Sequence, residues 1–122
     1  MTKQIIIIRK DLKMRRGKEI AQGAHASMSF LTARIKNGYL IPLTLVQQEW
    51  LDKSFTKITC YVLSELHLRN IYESAKTAGL EAHLIVDDGK TEFHGIPTAT
   101  CLAIGPDYSE NLDEITLHLP LY

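Results

Sequence analysis

The hydrophobic pattern of the chain begins with an unbroken apolar run, which predicts a central strand. Residues 5–8 are four consecutive isoleucines, and the charged Arg9 and Lys10 follow them. A continuous β-branched run is typical of a strand buried on both faces, whereas a half-exposed strand alternates apolar and polar residues. We therefore expect this strand to lie in the middle of a sheet.

After a polar loop, the hydrophobic spacing changes from that of a strand to that of a helix. At about 100° per residue, five apolar side chains fall within one arc of a helix that starts near Lys18 and is expected to stop at Gly38. The five are Ile20, Ala24, Met28, Leu31 and Ile35. The pattern predicts a long amphipathic helix with this arc against the core and its polar face at the border of the core.

The rest of the chain predicts three more strands and another helix. Strands are expected at 57–63, 82–86 and 100–104, the last broken by Gly105 and Pro106. A helix is expected between Ser64, as its N-cap, and Gly79, and residues 39–54 are expected to form a loop and a short helix. The order β-α-β-α-β-β predicts a single α/β sandwich domain over residues 1–122, a four-stranded mixed sheet flanked by helices.

Composition favours a single domain, but the net charge conceals an uneven distribution. The 122 residues are 45% hydrophobic and carry no net charge, and no apolar run reaches the roughly 20 residues that span a bilayer. Residues 1–18 hold seven basic residues and only Asp11 as an acidic one, so they carry +6 and the remainder −6. Such a patch could contact a polyanion or could be solvated surface. The acidic C-terminal stretch is expected to face away from it.

The two cysteines are interpreted as core thiols rather than as a disulfide or a nucleophile. Cys60 and Cys101 each lie within an apolar, strand-like run, where a cysteine behaves as a small buried hydrophobe. Two free thiols and no secretory segment predict a protein of the reducing cytoplasm.

Polar residues on the first helix form a candidate site. Lys18, Gln22 and His25 stand at positions i, i+4 and i+7, which places them on one stripe of a helix. Three such residues are also ordinary on a solvated helix face, so the stripe is a weak signal by itself. It gains weight from Asp87, which ends a predicted buried strand in a turn, because ligands of α/β sheets bind at the carboxyl ends of parallel strands. Hydroxyls are available nearby on Thr91, Thr98 and Thr100. A carboxylate, an imidazole, an ammonium group and hydroxyls suit hydrolysis.

Other chemistries have little support in the sequence. There is no glycine-rich phosphate loop, no nucleophile elbow and no zinc spacing of histidines. The four remaining histidines are scattered and are interpreted as surface or structural residues. No metal site is expected.

Four ordered motifs resemble those of type-II peptidyl-tRNA hydrolases over nearly the whole chain. They are Arg9-Lys10-Asp11-Leu12-Lys13-Met14 with Gly17-Lys18-x-x-Ala21-Gln22-x-x-His25-Ala26, then Asp87-x-Gly89-x-Thr91, Thr100-x-Leu102-Ala103-Ile104-Gly105-Pro106, and Leu119-Pro120-Leu121-Tyr122. The resemblance implies a mixed four-stranded sheet, frequently a homodimer, and no metal or organic cofactor. It also implies cleavage of the ester between a peptide and the 3′-terminal ribose of tRNA, which recycles the tRNA.

Carried over residue by residue, the resemblance assigns roles to the candidate residues. It implies catalytic roles for Lys18, His25, Asp87, Thr91 and Thr100. Gln22 and Thr98 are expected to bind substrate, and the local charge suggests the same role for the basic loop, by which we mean Lys10, Lys13, Arg15 and Arg16. Water would attack the ester with His25 or Asp87 as the base, and the sequence does not decide between them. Lys18 would stabilise the oxyanion or hold the terminal phosphate, and the basic loop would grip the tRNA backbone.

Two departures and two alternatives accompany this interpretation. Asp88 stands where the family usually has a small residue, and its charge is expected to raise the proton affinity of one of the two neighbouring aspartates. The segment between Thr91 and Thr100 also differs from the family pattern.

The alternatives are a non-catalytic tRNA- or protein-binding module of the same fold, and a hydrolase of a related ester such as D-aminoacyl-tRNA.

Overall fold

The computed structural model describes residues 1–36, 42–90 and 92–122 of the chain. These residues form four strands and four helices, and a short 3₁₀ turn, Lys10–Leu12, follows the first strand. In chain order they are β1 (Thr2–Arg9), α1 (Arg16–Lys36), α2 (Leu45–Asp52), β2 (Lys57–Val62), α3 (Glu65–Thr77), β3 (Ala82–Asp87), β4 (Thr98–Tyr108) and α4 (Ser109–Thr116). Within the described ranges, no helix has both the length and the apolar character needed to cross a membrane.

The strands form one mixed sheet in the order β2-β1-β4-β3. Strand β1 is parallel to β2 and antiparallel to β4, and β3 is antiparallel to β4. Strands β1, β2 and β3 therefore all end at the same edge of the sheet. The predicted fold class and the central position of the isoleucine run are both confirmed.

Strand β1 is buried on both faces because its isoleucines alternate between two cores. Ile5 and Ile7 belong to a core closed by Leu68 of α3 and Leu112 of α4. Ile6 and Ile8 face the other core, beneath Ala26 of α1. On that second face, Phe30 of α1 packs edge-on against Trp50 of α2, with ring centroids 5.9 Å apart.

The predicted orientation of α1 was wrong. Its apolar arc faces outward: Ile20, Met28 and Ile35 are 67%, 56% and 47% exposed. The buried face instead carries Gln22, Ala26 and Phe30. Apolar periodicity failed here because Gln22 finds hydrogen-bond partners inside the protein and Ala26 lets the helix approach the sheet closely.

Strand β4 also differs from its prediction, because it does not stop at Gly105 and Pro106. It continues to Tyr108, which pairs with Thr2, and the pairing register with β1 shifts between Lys3 and Ile5. Such an irregularity is where a strand accommodates a proline, which has no N–H for the ladder. Helix α4, which the sequence did not predict, follows Tyr108 at the end of β1 farthest from the basic loop.

A carboxylate at the start of β3 ties three elements together. Arg34 of α1 donates to both carboxylate oxygens of Glu81, at 3.2 and 3.0 Å, and Gln47 of α2 donates at 3.4 Å. Nε2 of His83 lies 2.5 Å from Oε2 of Glu81. The hydrogen bond with His83, with further help from the Arg34 guanidinium, lowers the pKa of Glu81 from 4.5 to about 2 despite its partial burial.

We expect Glu81→Gln to lower the free energy of unfolding by about 1–2 kcal/mol at pH 7, because it removes a charged acceptor from a partly buried network. The folded-state pKa of Glu81 lies below its unfolded value, so its stabilisation is present above pH 4.5 and is lost as the pH falls towards 2. Urea unfolding at pH 7 and pH 3 should show the difference between parent and variant shrinking. A difference of equal size at both pH values, or an equal loss in the exposed control Glu73→Gln, would contradict this account.

Candidate active site

An ion pair lies at the edge of the sheet where the parallel strands end. Asp87 is the last residue of β3 and Lys18 lies in the first turn of α1. Nζ of Lys18 is 2.9 Å from Oδ1 of Asp87, and their side chains are only 14% and 11% exposed. The convergence that the sequence predicted for these two residues is confirmed.

Two buried side chains extend this pair into a chain of hydrogen bonds. Nε2 of Gln22 donates to Oδ1 of Asp87 at 3.3 Å, and Oε1 of Gln22 accepts from the hydroxyl of Thr100 at 2.5 Å. Gln22 is 3% exposed, and Thr100 in β4 is fully buried. The hydroxyl fixes the orientation of the amide, and the amide fixes the carboxylate. We call Lys18, Gln22, Asp87 and Thr100 the site cluster.

A backbone amide that the sequence did not single out completes the carboxylate's contacts. The N–H of Gly89 donates to Oδ2 of Asp87 at 2.9 Å. Gly89 has a φ of +86°, and a Cβ on it would lie 2.3 Å from the backbone oxygen of Ile96. Only glycine fits this turn. The Asp87-x-Gly89 spacing in the sequence could have indicated this contact.

The hydrogen bond from Lys18 is the main reason that the pKa of Asp87 lies below its ordinary value of 3.8. The Gly89 amide and Gln22 add to it and outweigh the opposing effect of burial. Asp88, whose charge was expected to affect one of the two neighbouring aspartates, is not among the causes of the pKa shift of Asp87. Its side chain is 65% exposed and lies 3.8 Å from Lys90. Asp87 is therefore a carboxylate throughout the neutral range.

The other candidate residues lie around the cluster or outside the described ranges. His25 is exposed one turn beyond Gln22 on α1, and no hydrogen bond or ion pair joins its side chain to another residue that the structure describes. Thr98 pairs with Asp87 in the sheet, and its hydroxyl donates to the backbone oxygen of Ile96 at 2.8 Å. Thr91 lies outside the described residues.

Lys18 connects the site cluster to a cleft beside the basic loop. The cleft has a volume of about 470 Å³ and is lined by Arg15, Gly17, Lys18 and Glu92. Arg15 pairs with Glu92 at 2.7 Å but remains 81% exposed. Nζ of Lys18 lies 5.9 Å from the ring centroid of Phe93. Glu92 and Phe93 were not predicted as neighbours of the site, because nothing in their sequence positions shows how the loop after β3 folds back.

The basic surface is narrower than the charge count of residues 1–18 indicated. Lys3 pairs with Asp113 at 2.6 Å, and Arg9 is buried against Asp11 and the backbone oxygen of Ala99. These two cations therefore serve the fold. All four residues of the basic loop are exposed, so the loop can present its charge to a polyanion.

The cysteines are not candidate nucleophiles, and the described residues offer no metal-binding cluster. Both cysteines are buried and free, as predicted, and burial raises the pKa of Cys101 to about 12, so its thiol is protonated at neutral pH. Across the residues that the structure describes, no three His, Cys, Asp or Glu side chains are grouped so that they could hold a metal ion. The site cluster offers an ammonium group beside an ionised carboxylate in an open cleft, an arrangement that can stabilise an oxyanion and position water.

Comparison with known proteins agrees with these observations. The family model for "Peptidyl-tRNA hydrolase PTH2" matches residues 2–122. The chain belongs to this family. The match to this peptidyl-tRNA hydrolase family covers almost the full length of the chain and so includes the residues of the site cluster.

Relatives in archaea and eukaryotes carry the same family name. The peptidyl-tRNA hydrolases of Methanocaldococcus jannaschii and Methanopyrus kandleri are each 40% identical to this chain, and the alignments cover 98% or more of it and 98% of each relative. A probable peptidyl-tRNA hydrolase 2 of Dictyostelium discoideum is 37% identical over 98% of this chain and 54% of its own length. A solved structure of a protein of unknown function from Agrobacterium covers 99% of this chain and 97% of its own with a TM-score of 0.61 and 12% identity, which shows a shared fold alone.

Proposed function

We propose that the site cluster is the active site with which this family member hydrolyses the ester bond between peptide and tRNA. The activity is that of the peptidyl-tRNA hydrolase family, an ester hydrolysis that releases the tRNA. The observation that carries the proposal is the Lys18–Asp87 pair of 2.9 Å at the mouth of a cleft beside the basic loop.

In the proposed mechanism, Lys18 stabilises the carbonyl oxygen of the ester and Asp87 activates the attacking water. Water adds to the ester carbonyl, and the ammonium group of Lys18 stabilises the oxyanion that forms. The base takes a proton from the water as it adds, the bond between the carbonyl carbon and the ribose 3′ oxygen breaks, and the 3′ oxygen leaves with that proton. Gln22 and Thr100 hold the carboxylate of Asp87 in place throughout, so they are positioning residues.

Asp87 is the better candidate for the base than His25. Its carboxylate lies 2.9 Å from Nζ of Lys18, which lines the cleft, whereas His25 lies exposed farther along α1. Asp87 is a weak base while Lys18 holds its pKa down. As the ammonium group turns towards the developing oxyanion, the carboxylate loses its strongest hydrogen bond and its proton affinity rises. The same movement therefore stabilises the oxyanion and strengthens the base.

The basic loop and the cleft suit a substrate that is a large polyanion with a reactive end. Exposed Lys and Arg side chains contact phosphates without reading bases, so this contact would serve any tRNA. The hydrolysis reaction belongs to translation, and we propose that the protein acts in the cytoplasm, where buried thiols such as Cys60 and Cys101 stay reduced.

The function is tested by offering purified protein two esters that differ in the acyl group. We expect release of N-acetylamino acid from N-acetylaminoacyl-tRNA at a much higher rate than release of a D-amino acid from D-aminoacyl-tRNA. Preference for the D-aminoacyl ester would assign the site to the related reaction. Release of neither amino acid, with tRNA still bound, would leave a non-catalytic tRNA-binding module.

We also propose that the protein forms a homodimer through the outer stripe of α1, which consists of Ile20, Ala24, Met28 and Ile35. Three of these side chains are about half exposed or more, and exposed apolar patches mark interaction surfaces. Ala24 lies midway between Ile20 and Met28. Two antiparallel copies of α1 crossing at Ala24 would place Ile20 of each against Met28 of the other, as a two-fold interface requires.

Met28→Asp should separate the proposed dimer into monomers, because it places a charge in the apolar contact. Sedimentation equilibrium should give twice the chain mass of 13.8 kDa for the parent and a single chain mass for the variant. Leu66→Asp on α3, which replaces a side chain that is 71% exposed, is the control and should remain dimeric. A monomeric parent would refute the dimer.

A further inference from the structure

Two tyrosines form an exposed aromatic surface on the other side of α1 from the site cluster. The rings of Tyr61 in β2 and Tyr122 have centroids 5.5 Å apart and planes inclined at 60°. Nζ of Lys10 lies 4.5 Å from the centroid of Tyr61 and 5.8 Å from that of Tyr122. We call these three residues the tyrosine platform.

The backbone holds the platform in a fixed position. The N–H of Tyr122 donates to Thr59 at 2.9 Å, and the N–H of Tyr61 donates to Pro120 at 3.2 Å, so residues 120–122 lie along the free edge of β2. The hydroxyl of Tyr122 also hydrogen-bonds to the carboxylate of Glu19 in α1. That contact raises the pKa of Tyr122 to about 12, so the hydroxyl stays protonated and remains a donor.

The platform joins the basic loop to the active site. Lys10 is a residue of both the basic loop and the platform. Glu19, which holds Tyr122, is the neighbour of Lys18 in the first turn of α1. A single-stranded 3′ end bound along the basic loop could therefore place one base on the two tyrosines while its terminal nucleotide crosses the first turn of α1 to the site cluster.

We propose that the tyrosine platform stacks an unpaired base at the 3′ end of the tRNA and so positions the ester at the site cluster. This inference rests on the proposed function. Unpaired bases are recognised by stacking on aromatic rings beside cations that contact the phosphates, and such stacking tolerates any base. Lys10 supplies the cation: it is exposed, so its ammonium group can turn from the rings to a phosphate when a base takes its place.

The partly exposed rings can accept a nucleotide base, and α3 provides a matched control. Tyr122 is 48% exposed, and Tyr61 is partly exposed beside it. Another tyrosine with a cation above it provides a matched control: Nζ of Lys76 lies 4.5 Å from the ring centroid of Tyr72 on α3. That pair packs against the opposite face of the sheet, away from the basic loop, so it should not contact the substrate.

The test compares the binding of intact deacylated tRNA with that of tRNA trimmed of its unpaired 3′ nucleotides. We expect the parent to bind intact tRNA about tenfold more tightly, from the stacking of one base. Tyr61→Ala and Tyr122→Ala should lose this preference, whereas Tyr61→Phe and Tyr72→Ala should keep it. In hydrolysis of N-acetylaminoacyl-tRNA, Tyr61→Ala should raise KM about tenfold with a smaller change in kcat.

Three results would refute the proposed role of the tyrosine platform. They are a parent without preference for intact tRNA, a Tyr61→Ala and a Tyr122→Ala variant that both keep the preference, or variants that lose affinity equally for both tRNAs. The two alanine variants keep the test decisive if one of them does not fold. Binding is measured on deacylated tRNA, so it tests base stacking independently of hydrolysis. If the parent bound intact tRNA preferentially but hydrolysed no ester, only the proposed function would be rejected.

Discussion

Lys18→Ala is expected to lower kcat for the hydrolysis of N-acetylaminoacyl-tRNA by about 10²–10³-fold, the usual effect of removing one oxyanion donor. In the proposed mechanism no other ammonium group reaches the oxyanion, so the variant should lose transition-state stabilisation with little change in KM. The fold should survive, because the pair lies at the sheet edge rather than within either core.

A neighbouring lysine provides the control for this variant. Lys90 lies in the same turn as Asp87 and pairs with Asp88 at 3.8 Å, but its side chain is 82% exposed. Lys90→Ala changes the net charge by the same amount and should retain the parent kcat within about twofold, since exposed pairs contribute little. Equal activity of Lys18→Ala and the parent would show that the ammonium group has no part in the reaction.

Neutralising three residues of the basic loop should produce the second large effect, a loss of tRNA affinity of about 10²-fold at 0.1 M salt. The variant carries Lys13→Gln, Arg15→Gln and Arg16→Gln. Each phosphate contact contributes about 0.9 to the slope of log K against log salt on duplex nucleic acid. The slope should therefore become less steep by about 2–3, and the variant and parent should converge at high salt.

The matched control removes the same three charges from another surface. Lys53, Lys57 and Lys76 are exposed, and Lys57 lies beside Gln4 at the end of β1 opposite the basic loop, so replacing the three by Gln should change the affinity and the slope far less. If both triple variants bound tRNA equally weakly, net charge rather than the basic loop would govern binding.

Much of the fold could be predicted from sequence because local chemistry and tertiary structure agree. The isoleucine run of β1 is apolar on both faces and lies between two cores. Ser64 caps α3, where its hydroxyl accepts from the N–H of His67 as its position predicts. In both segments the local preference is the one that the complete domain also satisfies.

The orientation of α1 could not be predicted because long-range partners decide it. Hydrophobicity alone assigned the Ile20–Ile35 arc to the core, yet the core takes Gln22, whose amide is satisfied by Thr100 and Asp87 more than sixty residues away. The outward-facing arc is then available to a partner molecule. The hydrophobic pattern of a single chain does not distinguish such an interaction surface from a face buried in the core.

The candidate site was likewise predicted only where local spacing in the sequence determines the contacts. Helical spacing and the strand end gave the convergence of Lys18, Gln22 and Asp87. The Gly89 amide and Phe93 depend on how the loop after β3 folds back, which no spacing in the sequence encodes. His25 shares the helical stripe with Lys18, but the structure leaves it exposed, because only the first turns of α1 lie over the end of β3.

The central claim, that Asp87 is the carboxylate of the reaction, is tested most directly by the single-turnover rates of Asp87→Asn and Asp88→Asn. The two changes are isosteric, adjacent and equal in charge, but only Asp87 is bound by Lys18, Gln22 and the Gly89 amide. With enzyme in excess over N-acetylaminoacyl-tRNA, Asp87→Asn should cleave the ester about 10³-fold more slowly, and Asp88→Asn should cleave it at the parent rate within about threefold. Equal rates for Asp87→Asn and the parent would contradict the account.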